Sequence, residues 1–200
     1  MSARLLLASR SESRRRLLAD AAVPFEPVDA GVDEEAIKAG LVAEGLGARD
    51  LADALAEWKA VRPSMRVPDA LVLGCDQTLE LDDGSRIDKV ETRTEAAALL
   101  ARMSGRPHRL HSAAVIAQAG APVWRQIESV TLHVRALSAG FIADYLDLDW
   151  ENCRWCVGCY RIEGPGAQLF SRVTGSLFAV QGLPLLPLLD YLRTRSIVPA

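Results

Sequence analysis

An α/β fold on a mixed, largely buried sheet with flanking helices is what this 200-residue sequence predicts. Three observations carry it. Stretches with helical spacing of apolar residues alternate with short apolar runs, the pattern of helices laid on a sheet. The run ALVLGCDQTLEL at residues 70–81 is apolar nearly throughout, as in a strand covered on both faces. Residues 108–118 and 123–135 read as a hairpin across Ala119-Gly120-Ala121-Pro122, and an antiparallel pair makes the sheet mixed.

In chain order, residues 5–8 form an apolar strand and 12–21 a helix. Phe25 to Val28 is extended, bracketed by Pro24 and Pro27. Asp33-Glu34-Glu35 carries acids at a helix start, and the helix runs to about Glu44. Leu51, Ala54, Leu55 and Trp58 set a helix over 50–61 that stops before Pro63. After the buried strand, Asp82-Asp83-Gly84-Ser85 turns the chain. A helix over 94–103 ends near Gly105, and the hairpin follows. Ser138 caps a helix to Leu146. Residues 153–178 read as strand, loop and turn, and 185–194 as the closing helix. No repeat, low-complexity segment or linker divides the chain, which reads as a single domain over 1–200.

Half of the residues are hydrophobic, enough for a sizeable core. A net charge of −3 offers no general attraction to nucleic acid or to acidic membranes, so any anion site is local. No stretch approaches the ~18 continuous apolar residues of a membrane span, and no secretory signal is visible. Four cysteines in such a chain read as reduced thiols, which points to the cytoplasm. Three of them, Cys153, Cys156 and Cys159, have a C-x-x-C-x-x-C spacing. Iron–sulfur ligation needs a fourth thiolate, and Cys75 lies far upstream in the buried strand, so free thiols are expected.

Strand, hydroxyl-rich turn and helix N-terminus follow one another in Leu7-Ala8-Ser9-Arg10-Ser11-Glu12-Ser13-Arg14. Free N–H groups and the helix dipole make that geometry an anion site. Ser9, Ser11 and Ser13 can cap the helix or donate to phosphate, and Arg14 is the arginine nearest the turn. The Arg- and Ser-rich start also fits a transit peptide, against which Glu12 and the strand at Leu5 argue. Asp76 interrupts the most buried strand, where a carboxylate is costly unless it is paired or binds a cation. It reads as a metal ligand or general base. Lys59 and Lys89, with Arg14 and Asp76, suggest a phosphate–metal site. His108, His111 and His133 have no zinc spacing and are read as structural. Walker A, G-x-G-x-x-G and G-x-S-x-G motifs are absent.

Taken in order, these pieces resemble the Maf family of nucleoside triphosphate pyrophosphatases. The resemblance rests on Leu7-Ala8-Ser9-x-Ser11-x-x-Arg14, Pro24-Phe25-Glu26, Asp33-Glu34, Trp58-Lys59-Ala60 and Cys75-Asp76-Gln77. It continues through Asp88-Lys89, Met103-Ser104-Gly105-Arg106-Pro107-His108, Gly158-Cys159-Tyr160-Arg161-Ile162-Glu163-Gly164, Gly175 and Gly182-Leu183-Pro184. It implies an elongated α/β fold with two lobes and a central cleft, shared with inosine triphosphatases. It implies hydrolysis of a nucleoside triphosphate to monophosphate and pyrophosphate with a divalent cation, Mg²⁺ or Mn²⁺, to clear non-standard or excess nucleotides. Some members are linked to septum formation, so a silent nucleotide-binding regulator or a septum-associated interaction protein is the alternative. A homodimer is compatible with the resemblance.

By the same resemblance Asp76, Lys59 and Lys89 are catalytic, Asp76 and Glu34 hold the metal, and Ser9 and Arg14 contact phosphate. Ser13, Gln77 and Glu163 fall at positions linked to base selectivity. This chain departs from the family there: Gln77 replaces the common Thr, Glu163 the usual Gln, and Glu12-Ser13 the usual Pro followed by Arg or Trp. Val90 replaces the Pro that often follows the lysine. The resemblance therefore does not carry over a preferred base.

Overall fold

The computed structural model describes residues 4–199. Within them the chain forms β1 (Arg4–Ala8), α1 (Glu12–Asp20), β2 (Glu26–Pro27), α2 (Glu34–Ala43) and α3 (Ala48–Ser64). Next come β3 (Ala70–Leu81), β4 (Arg86–Ile87), α4 (Arg93–Met103), β5 (Pro107–Gln118) and β6 (Ala121–Val134). The chain closes with α5 (Ala139–Cys153), a 3₁₀ turn at Pro165–Leu169, β7 (Phe170–Thr174), α6 (Leu177–Val180) and α7 (Leu185–Thr194). The seven strands form one mixed sheet in the order β2-β1-β3-β5-β6-β7, with β4 paired to β3. The chain divides into two compact units. The first holds the residues up to Gln77, Ser112–Glu128 and those from Gly182 onward; the second holds Thr78–His111 and Ser129–Gln181. Strands β3, β5 and β6 contribute residues to both.

In the first unit β1 lies parallel between β2 and β3, with Leu5 opposite Leu71, Leu7 opposite Leu73 and Ala8 opposite Gly74. Leu5, Leu6, Leu7 and Ala8 of this strand are buried in the sheet. Helix α3 approaches the sheet through small residues: Ala52, Ala56 and Ala60 pack against Ala113, Val115 and Ala117. The approach is closest at Gly74, where an added Cβ would lie 2.2 Å from the Ala56 carbonyl oxygen and 2.5 Å from the Ala60 nitrogen. Asp76 is two residues on along β3 and shares the face of Gly74. Close docking of the helix therefore brings Lys59 over Asp76.

In the second unit the sheet alternates with period two. Leu79, Leu81, Leu110, Val130 and Leu132 enter a core shared with Leu99, Leu100, Met103, Ile142 and Leu146 of α4 and α5. The intervening residues Glu80, Arg109, His111 and Ser129 fall on the opposite face.

Four elements differ from the sequence reading. Helix α3 runs past Pro63 to Ser64. Proline in the last turn removes one hydrogen bond, and Ser64 Oγ donates to the Val61 carbonyl at 2.8 Å there. The hairpin turn is shorter than four residues: Ala119 and Gly120 both have positive φ, 50° and 82°, as a two-residue turn requires. Helix α5 starts at the Ser138 cap, whose Oγ accepts from the Phe141 N–H, but continues to Cys153. The span after it holds loop, the 3₁₀ turn, β7 and α6 rather than an early strand.

Candidate active site

The first unit gathers most of the residues singled out above. The Ser11 side chain caps α1 by accepting from the Arg14 N–H at 3.4 Å, and Ser13 sits half-buried in the first turn. Arg14 is buried. Its Nε donates to the Gly182 carbonyl at 2.8 Å, and its Nη1 to the Cys75 carbonyl at 3.1 Å and to Ser9 Oγ at 3.3 Å. The guanidinium thus ties the turn after β1 to β3 and to the segment before α7. Ser9 Oγ also accepts from the Ser11 N–H at 3.3 Å, so the serine is held in one place.

Glu34 opens α2 immediately after its Asp33 cap, whose carboxylate accepts from the Ala36 N–H. Lys59 lies on the buried side of α3. Its Nζ donates to Asp76 Oδ1 at 2.6 Å and reaches Glu34 Oε2 at 2.8 Å. One ammonium therefore bridges two carboxylates. Asp76 and Lys59 are nearly enclosed, with side chains 10% exposed, whereas Glu34 is 53% exposed and opens the cluster to solvent. Burial pushes the Asp76 carboxyl above the ordinary carboxylate range, while the Lys59 and Arg14 cations pull it back. Next to it, Gln77 Nε2 donates to Ser112 Oγ at 2.8 Å.

Among the described residues no three His, Cys, Asp or Glu side chains are grouped to hold a metal ion. Of the two expected ligands, Glu34 and Asp76, both present carboxylate oxygens, the donors a hard divalent ion takes, and the Lys59 ammonium bridges them. Magnesium is commonly held by one or two carboxylates plus substrate phosphate, so two protein ligands are an adequate set.

Lys89 and Glu163 belong to the second unit, and both are exposed. Both act on the Cys156 thiol, Glu163 raising and Lys89 lowering its pKa, but burial is the larger influence and pushes it up to about 11. Burial likewise carries Cys159 to about 12. Cys153, Cys156 and Cys159 form no disulfide and are linked through consecutive turns: the Cys156 N–H donates to the Cys153 carbonyl and the Cys159 N–H to the Cys156 carbonyl.

One anchoring pair was missed. The loop bearing Glu163 is held by Arg161, whose Nη2 and Nε donate to Asp149 Oδ1 and Oδ2 at 2.5 and 3.3 Å. Gly166 folds back so tightly that a Cβ there would lie 2.6 Å from the Arg161 carbonyl oxygen. A signal existed: Asp149 lies at helical spacing from the buried Tyr145, Leu146 and Cys153, so its carboxylate had to find a partner.

Comparison with known proteins gives the family. A family model described as "Maf-like protein" matches residues 4–195. A nucleoside triphosphate pyrophosphatase of Sphingopyxis alaskensis is 52% identical over 195 residues, covering 98% of both chains. One from Caulobacter vibrioides is 49% identical over 187 residues, 94% of this chain and 93% of that one. One from Ruegeria pomeroyi is 46% identical over 198 residues, 99% of each. A solved nucleoside-triphosphatase, a dITP/XTP pyrophosphatase from Mycobacterium abscessus, aligns over 98% of both chains at 15% identity with a TM-score of 0.40, a likeness too loose to bear on the chemistry. A family match across nearly the whole chain, with full-length relatives at about half identity, shows that this chain belongs to the Maf-like protein family.

Proposed function

We propose that this chain is a nucleoside triphosphate pyrophosphatase that releases monophosphate and pyrophosphate, and that it clears non-standard or excess nucleotides in the cytoplasm. The observation that carries this reading is the Glu34–Lys59–Asp76 cluster, one enclosed ammonium bridging two carboxylates, with Arg14 of α1 donating to the carbonyl of Cys75, the residue before Asp76. The names of the full-length relatives support the same activity.

Asp76 is the group that takes the proton from the attacking water, and burial suits its carboxylate to that task by strengthening it as a base. Lys59 holds Asp76 in position and supplies positive charge at the attacked phosphoryl group. The first-turn N–H groups of α1 and the hydroxyl of Ser9 receive phosphate oxygens, with Arg14 fixing Ser9 and adding charge behind it. Glu34 and Asp76 would hold a divalent cation, Mg²⁺ or Mn²⁺, which when bound neutralises the polyphosphate charge. By family resemblance Lys89 neutralises the leaving pyrophosphate, and Ser13, Gln77 and Glu163 contact the base. An ionised Glu163 only accepts hydrogen bonds, which favours bases that present N–H groups.

Phosphorus NMR of a reaction mixture tests the chemistry. Attack at the α-phosphorus gives monophosphate and pyrophosphate; nucleoside diphosphate with orthophosphate would refute it. Selectivity is tested by Glu163→Gln across a panel of triphosphates. Loss of a charge-assisted hydrogen bond is worth about 1.5–3 kcal/mol, so the kcat/KM ranking should shift by ten- to a hundredfold. An unchanged ranking with activity preserved would remove Glu163 from base reading.

A further inference from the structure

On the face of the second unit's sheet turned away from its core, three side chains from adjacent strands stand in one hydrogen-bonded line. Glu80 of β3, His111 of β5 and Ser129 of β6 follow the strand order of the sheet. Glu80 Oε2 lies 3.0 Å from His111 Nε2, and His111 Nδ1 lies 2.7 Å from Ser129 Oγ. The protons can be assigned. An ionised carboxylate only accepts, so the imidazole proton is on Nε2 and points at Glu80. Nδ1 then carries the lone pair and accepts from the Ser129 hydroxyl. His111 is 3% exposed, the Glu80 side chain is 22% exposed, and Ser129 is at the solvent end. The imidazole is therefore shielded and oriented, while the hydroxyl it polarises is open to an incoming molecule.

Nucleophile against base, and base against an orienting carboxylate, is the arrangement that activates serine in unrelated folds. Three neighbouring strands hold it, which fixes the geometry better than loops would. We propose that Ser129, with His111 as base and Glu80 as its orienting group, is a second nucleophilic site of this chain, one that takes small activated esters. The nucleotide chemistry assigned to Asp76 makes no use of these three residues.

In the first step Ser129 Oγ bonds to the carbonyl carbon of the ester while its proton passes to His111 Nδ1. Collapse expels the alcohol, which leaves with that proton. Water then attacks the serine ester, His111 takes a proton from the water and returns it to Ser129 Oγ, and the carboxylic acid departs. Glu80 keeps its charge throughout and stabilises the transient imidazolium. On an open strand face the substrate must bring its own good leaving group, which limits it to aryl esters and similarly activated donors.

Diisopropyl fluorophosphate tests this on the full-length chain. With this probe Ser129 Oγ bonds to phosphorus, the P–F bond breaks, fluoride leaves and His111 receives the proton. Peptide mass spectrometry should find one adduct, on Ser129. The adduct should be absent from Ser129→Ala, and the labelling rate should fall at least about tenfold in Glu80→Gln, given the ~10²–10⁴-fold worth of general base catalysis. Asp76→Asn should label at the wild-type rate, and Ser129→Ala should keep full nucleotide hydrolysis. His111→Gln alters a buried residue, so Glu80→Gln and Ser129→Ala, at half-buried and exposed positions, carry the decision. No adduct on Ser129, adducts spread over several serines, or a Glu80→Gln rate equal to wild type would each overturn the proposal.

Discussion

Asp76 and Lys59 are two halves of one buried pair, and removing either half has a different consequence. Asp76→Asn takes away the base while leaving Lys59 with Glu34 as a partner, so the fold should survive. General base help is typically ~10²–10⁴-fold, and kcat should drop at least about 100-fold. Lys59→Met instead leaves the Asp76 carboxylate enclosed without its nearest cation. Stranding a buried charge costs about 3 kcal/mol, so Lys59→Met should lower the unfolding midpoint as well as activity. The double variant should regain most of that lost stability, because the charge that needed a partner is gone. Denaturant titration of the three variants checks the cycle; if Lys59→Met is as stable as wild type, the pair is not a coupled unit. Both residues were legible in the sequence, Asp76 because a charge interrupted an apolar run. Their separation was not: nothing in residues 59 and 76 says that one ammonium reaches 2.6 Å from one carboxylate and 2.8 Å from another.

Helix α3 is positioned by what its neighbour lacks. Gly74 offers no Cβ, and the backbone of α3 at Ala56 and Ala60 fills that space. Gly74→Ala should therefore push α3 off β3 and carry Lys59 away from Asp76. Overpacking of this kind costs about 3 kcal/mol, and here kcat should fall together with the melting temperature. An unaltered crystal position of Lys59 in that variant, with wild-type activity, would show that helix docking does not set the site. The sequence announced both elements, through helical spacing in 50–61 and the apolar run 70–81, but not their contact. Long-range approach leaves no periodic trace. The same limit explains α5. Asp147, Asp149, Glu151 and Asn152 break the apolar pattern after Leu146, yet the helix continues because Arg161, twelve residues beyond Asp149, neutralises the buried carboxylate. Asp149→Asn should loosen the Glu163 loop and cost about 3 kcal/mol, read as faster amide exchange across residues 161–166.

At the scale of the whole molecule, an α/β class with a mixed sheet was readable from alternating patterns, and the family from an ordered set of short motifs. Two lobes were implied by the resemblance alone; composition and spacing gave no boundary between the two compact units, because β3, β5 and β6 contribute to both and no linker separates them. Stability against acid should depend on a residue read as merely structural. His108 is buried, its Nε2 lies 2.6 Å from the Tyr160 hydroxyl, and its ring packs at 6.0 Å from Phe170. Its Nδ1 has no hydrogen-bond partner among the described residues, so a second ring proton would be buried unpaired. Burial, helped by the charge of His133, lowers its pKa from 6.5 to about 4. The folded value lies below the unfolded one, so the unfolded chain binds the proton more readily. The stabilisation is complete above pH 6.5 and is lost as the pH falls through about 4. At 1.36 kcal/mol per unit of pKa, the loss is about 3 kcal/mol. Carboxylates titrate over the same range in any variant, so the test is a difference. Unfolding free energy from pH 7 to 4 should fall about 3 kcal/mol further in wild type than in His108→Asn, which cannot take up the proton. Parallel curves for the two proteins would place the acid sensitivity elsewhere.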